Sequence, residues 1–447
     1  MASAEGLLEA LEQLVWLLWD TARKEPLCLF LSLIVPLAVL GVLCIYLVLH
    51  LFAPKPRAPF PSEKTYISTN PDGTVSAPRP LSCWYDRWRA EGRLSHEYPT
   101  IPAGFPVPDE AVIEPAEVEM SVVIPAYNEE ARITVALEEM VEYLDREFGR
   151  PNGQSPQQEE QPKPTQRKGK KGKGATHAPH RLVFNPSTAA RSPQQETTPG
   201  RAGSTPSGYE ILIVDDGSRD RTVEVALAFS HQHGLHDILR VIKLVRNRGK
   251  GGAVTHGLRH VRGQYAVFAD ADGASRFSDL GRLTEGCEDV VDGSNRGVAI
   301  GSRAHLVGSE AVVKRSAIRN LLMRSFHFIL TILTPPATSR IRDTQCGFKL
   351  FSRAALPHIV PYMHAEGWIF DIEMLMLAES APATPVLASD GSVIGTSYGI
   401  KVAEVPVGWH EVDGSKMSLV QDSVKMAIGL AVLRASWMLG VYRRRLT

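Results

Sequence analysis

The chain has 447 residues, and its 49 Lys and Arg balance its 49 Asp and Glu, so its formal net charge is zero. A balanced chain carries no overall field to attract nucleic acid, and we expect no nucleic-acid partner. The five cysteines form no CxxC pair, which argues against a disulfide scaffold or a cysteine zinc site. With 44% hydrophobic residues the chain can bury one large core.

The first long apolar run, residues 26–52, contains no Asp, Glu, Lys or Arg. It is longer than the roughly 20 residues that a helix needs to span a bilayer, and longer than the roughly 7–15 residues of a signal-peptide core. No small-x-small cleavage site follows it, so we predict an uncleaved transmembrane anchor rather than a signal peptide. Residues 1–25 form an amphipathic N-terminal segment, and the proline-rich residues 53–117 are predicted to be a membrane-proximal tether.

The orientation of the anchor follows from its flanks. Basic residues are slightly more numerous after the run than before it, which favours a cytosolic location for the C-terminal side. The sequence contains no Asn-x-Ser/Thr glycosylation site, which agrees with a cytosolic body.

From residue 118 onward, short β-branched runs alternate with stretches of helical period. Each predicted strand is almost wholly apolar, which is typical of a parallel sheet covered by helices on both faces. In such sheets ligands bind beyond the carboxyl ends of the strands. The predicted strand-and-turn units are 119–130, 209–220, 238–247 and 264–274, and the helices are 131–149, 221–234 and 249–261.

Two further kinds of segment accompany this domain, which we assign to residues 118–417. Residues 150–208 are rich in Pro, Gln, Gly, Lys and Ser, cannot bury enough surface to offset their ordering entropy, and are predicted to be a disordered insertion. Residues 320–336 and the C-terminal segment 418–447 are apolar with cations at intervals. We predict helices that lie on the bilayer surface, with core helices as the alternative.

Four polar motifs follow the four predicted strands: IPAYNEE (124–130), VDDGSRDRT (214–222), NRGKGGA (247–253) and DADGA (270–274). Asp215 and Asp216, two carboxylates at a strand end, can accept hydrogen bonds from a base or a ribose hydroxyl. Backbone N–H groups that open a helix beside cations suit phosphate. The carboxylates of Asp270 and Asp272 are hard ligands for Mg²⁺ or Mn²⁺ and leave room for a diphosphate, although an isolated pair of this kind is more often a solvated turn.

In this order the four motifs resemble the family 2 glycosyltransferases of GT-A fold. Four further motifs are similar to the subfamily that glycosylates polyprenyl phosphates: GSRAHL (301–306), RDTQCGFKLF (342–351), EGWIFDIEML (366–375) and VPVGWHE (405–411). The resemblance covers residues 118–445 apart from the insertion, and implies an α/β fold with a Rossmann-like, mostly parallel sheet. It implies an inverting transfer of glucose from UDP-glucose to dolichyl phosphate, with Mg²⁺ or Mn²⁺, in the endoplasmic reticulum membrane with the catalytic domain facing the cytosol.

The resemblance also implies roles for individual residues. Asp270 and Asp272 would bind the metal, whereas Ala274 stands where related enzymes often have a third polar ligand. Arg303, Asp272 and Asp343 would be catalytic. The acceptor phosphate would be held by Arg303, Arg319, Arg324 and Lys349. The nucleotide sugar would contact Pro125, Ala126, Tyr127, Glu129, Asp215, Asp216, Lys250, Gly251, Asp270, Ala271, Asp272, Trp368, Asp371 and Glu373.

Two other functions remain open from the sequence. One is mannose transfer from GDP-mannose to the same lipid. The other is a non-catalytic membrane scaffold that retains the fold. Such a protein would be expected to lose Asp270 and Asp272, here called the acidic pair, or the basic glycine loop at residues 246–252, and both are intact. The sequence leaves the oligomeric state open.

Overall fold

The structure is a computed structural model that describes residues 26–97, 113–151, 206–306, 328–387, 393–412 and 419–442, with six isolated positions before residue 26. Within these ranges one helix, α1 (Pro26–Phe52), is long and apolar enough to cross a membrane, with a mean hydropathy of 2.6 over Ile34–Phe52. From Ile34 onward most of its apolar side chains are exposed, among them Leu37 at 69% and Phe52 at 78%, whereas Leu49 near the end is buried. An exposed apolar helix of this length is suited to lipid, as predicted for the anchor.

Much of the predicted tether packs on the globular body. Strands β1 (Thr65–Tyr66) and β2 (Arg79–Pro80) form a short antiparallel ribbon, and Ile67 forms a β-bridge with Val241 at the edge of the central sheet. Trp84, the first residue of α2 (Trp84–Glu97), is buried, and its Nε1 donates to the carbonyl of Leu258 at 2.7 Å. The predicted boundary at residue 118 therefore does not coincide with a break in the packing.

The core is a seven-stranded sheet in the order β11-β7-β8-β6-β3-β4-β5. All neighbouring strands run parallel except that β8 is antiparallel to β6 and β7, which confirms the mostly parallel sheet. The four predicted strands are β3, β4, β5 and β6, and the other three were not identified from sequence. The strands are β3 (Val118–Ala126), β4 (Tyr209–Asp215), β5 (Leu239–Lys243), β6 (Gly263–Ala269), β7 (Val298–Ser302), β8 (Phe348–Ser352) and β11 (Val402–Pro406).

Helices cover both faces of the sheet because successive strand residues point to opposite sides. In β4, Ile211 and Ile213 pack towards one set of helices, and Leu212 and Val214 pack towards the other. The first set is α3 (Ile133–Glu147), α4 (Thr222–Gln232) and α6 (Leu280–Val290). The second is α5 (Lys250–Leu258), α8 (Leu356–Ile359) and α9 (Phe370–Glu379), while α7 (Pro336–Ser339) is a single turn between β7 and β8.

A third apolar cluster joins the end of the anchor to the body. Ala53 packs there with Ile372 of α9 and with Leu430 and Leu433 of α10 (Leu419–Met438), and the hydroxyl of Tyr442 donates to the carbonyl of Pro54 at 2.5 Å. Other apolar side chains near this cluster are exposed, namely Phe328, Ile332, Val424, Ile428 and Met438. This arrangement leaves an apolar surface beside the anchor, where bilayer-surface helices were predicted.

Two predicted segments are described only in part. Most of the insertion, residues 152–205, lies outside the described residues, as do residues 307–327, which begin the apolar stretch at 320–336. The hydrophilic stretch near residues 384–398 contains an antiparallel hairpin of β9 (Thr384–Leu387) and β10 (Val393–Ser397).

Candidate active site

The first two motifs meet at the carboxyl ends of β3 and β4. Strand β3 continues through Ala126, one residue beyond Pro125, and Asn128 then adopts a left-handed conformation with φ 53°. The backbone N–H of Asn128 donates to Oγ of Ser218 at 2.9 Å, and its Oδ1 accepts from the N–H of Arg219 at 2.7 Å. The turn that carries Pro125, Ala126 and Tyr127 is thereby tied to the acidic turn after β4.

The two carboxylates of the acidic turn have different partners. Asp216 is buried, and its two oxygens accept the backbone N–H groups of Arg248 at 2.7 Å and Gly249 at 2.8 Å. Burial raises the pKa of Asp216 to about 6. Asp215 accepts from the N–H of Ser218 at 3.2 Å, and burial also raises its pKa. Asp216 therefore positions the basic glycine loop, while Asp215 shapes its own turn.

Glu129, also predicted to contact the nucleotide sugar, lies where α3 begins. Its Oε2 is 2.6 Å from Nη2 of Arg132, and its backbone N–H donates to Oγ1 of Thr222 at 2.7 Å. The structure thus places Glu129 four residues before α3, with the guanidinium of Arg132 beside its carboxylate.

The basic glycine loop, residues 246–252, packs tightly against residues 365–370. Gly249 has φ 85°, and a Cβ there would lie 2.7 Å from the carbonyl oxygen of Glu366. A Cβ on Gly251 would lie 2.6 Å from Cβ of Phe370. Glycine is therefore required at both positions by close approach, and by backbone conformation at the first. The closeness of this packing fixes the path of the loop into α5.

Lys250 is the first residue of α5 and forms an ion pair with Asp270 of the acidic pair. Its Nζ lies 2.6 Å from Oδ1 of Asp270. Burial alone would lower the pKa of Lys250, but the negative charges of Asp270 and Asp371 outweigh burial and raise it. The side chain of Asp270 lies directly over Gly347, where a Cβ would stand 2.0 Å from Oδ2. Gly347 is thus the residue that makes room for this carboxylate.

The acidic pair has the donor chemistry of a hard divalent cation. One oxygen of Asp272 accepts the N–H of Ala274 at 3.0 Å, while the Asp270 side chain remains about one-third exposed. Among the described residues no group of three His, Cys, Asp or Glu side chains is arranged to hold a metal. Mg²⁺ commonly takes one or two carboxylates and completes its shell with water and substrate phosphate, so these two residues fit such an ion.

Two residues predicted to touch substrate are instead engaged within the protein. Lys349 is fully buried on β8, where its ammonium contacts Asp371 and donates to the carbonyl of Cys346 at 2.7 Å. Glu373 is also fully buried, and its Oε2 accepts the backbone N–H groups of His364 at 2.9 Å and Ala365 at 2.7 Å. Lys349 as a ligand of the acceptor phosphate and Glu373 as a sugar contact therefore stay predictions, and both side chains have their observed partners inside the protein.

Asp371 is likewise buried, and burial raises its pKa even though Lys349 and Lys250 oppose that effect. Its carboxylate contacts Lys349 and does not reach the open surface of the site. Trp368, three residues earlier, is 36% exposed and keeps its ring accessible. Ala271, between the two acidic residues, is buried. Of these three residues, only Trp368 presents a side chain that a sugar could reach.

Arg303 and Asp343 form an ion pair at the end of β7. Nε of Arg303 lies 2.7 Å from Oδ2 of Asp343, Nη2 lies 2.9 Å from Oδ1, and the backbone N–H of Arg303 also donates to Oδ2 at 2.9 Å. Burial would raise the pKa of Asp343, but the hydrogen bonds and charge of Arg303 lower it. The guanidinium carbon lies 5.8 Å from the ring centre of Trp409. This geometry holds a partly exposed guanidinium in one orientation.

Sequence reasoning missed several residues around this pair. Glu404 accepts from the hydroxyl of Ser302 at 2.7 Å and from the backbone N–H of Asp343 at 3.0 Å, so it positions both β7 and the carboxylate. Trp409 and Gly347 stand within motifs that the resemblance singled out, and that was the only available signal for them. The predicted phosphate ligands Arg319 and Arg324 lie outside the described residues.

Comparison with known proteins agrees with this arrangement. The family model for glycosyl transferase family 2 matches residues 195–359. A dolichyl-phosphate β-glucosyltransferase of Saccharomyces cerevisiae is 36% identical over 422 residues, which cover 93% of this chain and 94% of that protein. The Homo sapiens protein of the same name is 33% identical, covering 73% of this chain and 78% of its own length.

Among solved structures, glucosyl-3-phosphoglycerate synthase of Mycobacterium tuberculosis, in complex with Mn²⁺, UDP-glucose and phosphoglyceric acid, aligns with a TM-score of 0.38 and 17% identity, covering 71% of this chain and 80% of that chain. The identity and coverage of the curated relatives establish the family. The chain belongs to the dolichyl-phosphate β-glucosyltransferases of glycosyltransferase family 2.

Proposed function

We propose that this protein transfers glucose from UDP-glucose to dolichyl phosphate and forms dolichyl β-D-glucosyl phosphate and UDP. The observation that carries the proposal is that a donor-type site and an anchored arginine share one edge of the sheet. Lys250 is the first residue of α5 and pairs with Asp270 just after β6. Arg303 follows β7, which runs in the same direction as β6 and is separated from it only by β8. The curated relatives of the chain carry the name of this reaction.

The donor half of the site is formed by the basic glycine loop and the acidic pair. Mg²⁺ or Mn²⁺ held by Asp270 and Asp272 would supply positive charge against the departing diphosphate. Lys250 adds a second positive charge at the same point, provided that it turns from Asp270 towards the phosphate. Asp216 keeps the loop amides in place, and the exposed ring of Trp368 is available to stack on the sugar.

The acceptor half of the site is formed around Arg303. A lipid monophosphate is already anionic at neutral pH, so the reaction requires positioning and charge stabilisation rather than a strong general base. Asp343, whose pKa is lowered, is a poor base but a good partner for Arg303. Because Nε and Nη2 of Arg303 are held by Asp343, and no hydrogen bond joins Nη1 to a described residue, Nη1 can approach a phosphate oxygen. Attack by that oxygen opposite UDP inverts the anomeric carbon.

The membrane arrangement follows the same division. We place α1 in the endoplasmic reticulum membrane as a single-pass anchor, with the catalytic domain facing the cytosol. The exposed apolar side chains of Phe328, Ile332 and Ile428 lie on elements that join the end of α1 in one cluster, and would rest in the bilayer surface near the lipid acceptor.

A donor panel tests this function directly. Purified full-length protein, short-chain dolichyl phosphate and Mg²⁺ or Mn²⁺ are combined with UDP-glucose, GDP-mannose or UDP-N-acetylglucosamine. The lipid product is identified by mass and anomeric linkage. A β-glucosyl lipid from UDP-glucose alone supports the proposal, whereas transfer from GDP-mannose would replace it with mannosyl transfer.

A non-catalytic scaffold is distinguished by binding. Isothermal titration of the full-length protein with UDP, with and without Mn²⁺, reports metal-dependent nucleotide binding. No such binding by folded protein would favour the scaffold.

A further inference from the structure

A buried glutamate links the segment after the anchor to the basic glycine loop. Glu63 lies in a single turn of 3₁₀ helix (Pro61–Lys64) and is fully buried. Its Oε1 accepts the backbone N–H of Val245 at 2.8 Å, and its Oε2 lies 2.5 Å from Nη2 of Arg248. Its carbonyl oxygen is 2.8 Å from Nε2 of His256 on α5. One residue thus contacts both sides of the loop and the helix that follows.

Arg248 contributes its charge to this contact rather than to the open site. Its guanidinium also donates to the carbonyls of Arg57 at 2.8 Å and Ala58 at 3.1 Å, and it is 7% exposed. Its backbone N–H is meanwhile held by Asp216. The loop is therefore fixed from two sides, by Asp216 through the backbone and by Glu63 through the Arg248 side chain.

An exposed ion pair also joins this segment to Glu366, two residues before Trp368. Nε of Arg57 lies 2.6 Å from Oε2 of Glu366, and Nη1 of Arg57 lies 3.3 Å from the carbonyl of Asn247. The carbonyl of Glu366 in turn accepts the N–H of Gly252 at 3.1 Å. Arg57 follows the last residue of α1, Phe52, by only five positions, so the link between the anchor and the loop is short.

We infer that residues 54–64, here called the strap, are a structural part of the donor site, with Glu63 as the principal positioning residue for the basic glycine loop. The strap holds the loop amides and Lys250 in position relative to Asp270. The affinity for the donor therefore depends on the strap, which directly follows α1. This inference rests on the proposed function, because it assumes that the loop binds the donor diphosphate.

The test uses the full-length protein in detergent. Glu63→Gln replaces an acceptor that faces the Arg248 guanidinium and the Val245 N–H with a group that can accept from only one of them. Loss of a hydrogen bond to a charged group corresponds to about tenfold in affinity. We expect the KM for UDP-glucose, and the Kd for UDP with Mn²⁺, to rise about tenfold, while the KM for dolichyl phosphate is unchanged.

Because Glu63 is buried and its replacement also perturbs folding, Arg57→Glu provides a second variant at an exposed position. It places two negative charges together, and we expect the Kd for UDP to rise by about threefold, as for an exposed ion pair. The double variant Arg57→Glu with Glu366→Arg restores the pair in reverse and should return the Kd to the wild-type value. A purely structural contact would change the Tm without this selective loss and rescue.

Arg79→Ala is the matched control. It breaks the exposed pair with Asp237, which also joins the segment before α2 to the domain but does not contact the loop. We expect unchanged binding of UDP. Variants that bind UDP as well as the wild type, or a double variant without rescue, would overturn the inference alone. Wild-type protein that fails to bind UDP would overturn the proposed function and this inference with it.

Discussion

Replacement of Lys349 by Met tests whether this lysine is structural or binds substrate. Lys349 and Asp371 are both buried, and the ammonium contacts the carboxylate directly. Methionine has a similar length and no charge, so the variant leaves Asp371 in the core without its nearest cation. Removal of one partner from a buried ion pair costs about 3–5 kcal/mol, and the remaining charge of Lys250 near Asp371 favours the lower end of this range.

The loss in free energy of unfolding is large enough to measure as a change in Tm. For a domain of this kind, about 3 kcal/mol lowers the Tm by about 6–12 °C. The loss also depends on pH. The folded-state pKa of Asp371 is already raised by burial, and removal of Lys349 raises it further. A carboxyl with a raised pKa binds its proton more tightly in the native state, so native stability falls as the pH rises. The Tm deficit should therefore be smaller at pH 5 than at pH 8.

The assay is thermal unfolding of full-length protein in detergent, followed by intrinsic tryptophan fluorescence at the two pH values. Lys401→Met, at an exposed position, is the control and should leave the Tm unchanged. If Lys349→Met has the wild-type Tm but a raised KM for dolichyl phosphate, Lys349 is a phosphate ligand and the buried pair is not its main role.

Four further predictions follow from the same contacts. Asp270→Asn should abolish metal-dependent binding of UDP, because the metal loses a carboxylate ligand. Electron paramagnetic resonance of Mn²⁺ measures binding of the metal, and unchanged Mn²⁺ binding would contradict the ligand assignment. Arg303→Lys should raise the KM for dolichyl phosphate about tenfold with little change in that for UDP-glucose, because lysine lacks the planar fork held by Asp343; equal KM values would refute it. The KM for UDP-glucose should rise below pH 6, because protonation of Asp216, whose pKa is about 6, removes an acceptor from the loop amides; a profile flat down to pH 5 would argue against this. Replacement of residues 152–205 by a short linker should preserve kcat/KM, because the two ends of the insertion already lie together: a Cβ on Gly208 would be 2.7 Å from the Pro151 nitrogen. A large loss of kcat/KM would assign the insertion a role in catalysis.

Several elements were predictable because their signals are local. The predicted units at 119–130, 209–220, 238–247 and 264–274 each overlap an observed strand, since β-branched apolar runs between turns depend on little beyond their own residues. Strand β8 was not identified, because its sequence FKLFS carries a lysine as its second residue. That lysine is acceptable in a core because it pairs with Asp371, 22 positions away in the sequence. The tether was read from its prolines, whereas its packing depends on contacts with β5 and α5.

The sequence by itself determined the order of β3 to β6 and the helices between them, the long apolar run and the placement of acidic and basic motifs at strand ends, because periodicity and turn residues act over a few positions. The tertiary structure decided which charges pair and which remain available. Glu63 meets Arg248 across 185 positions, Lys349 meets Asp371 across 22, and Arg303 meets Asp343 across 40. An ion pair depends on distance and burial in three dimensions, and the types of residue alone do not specify either.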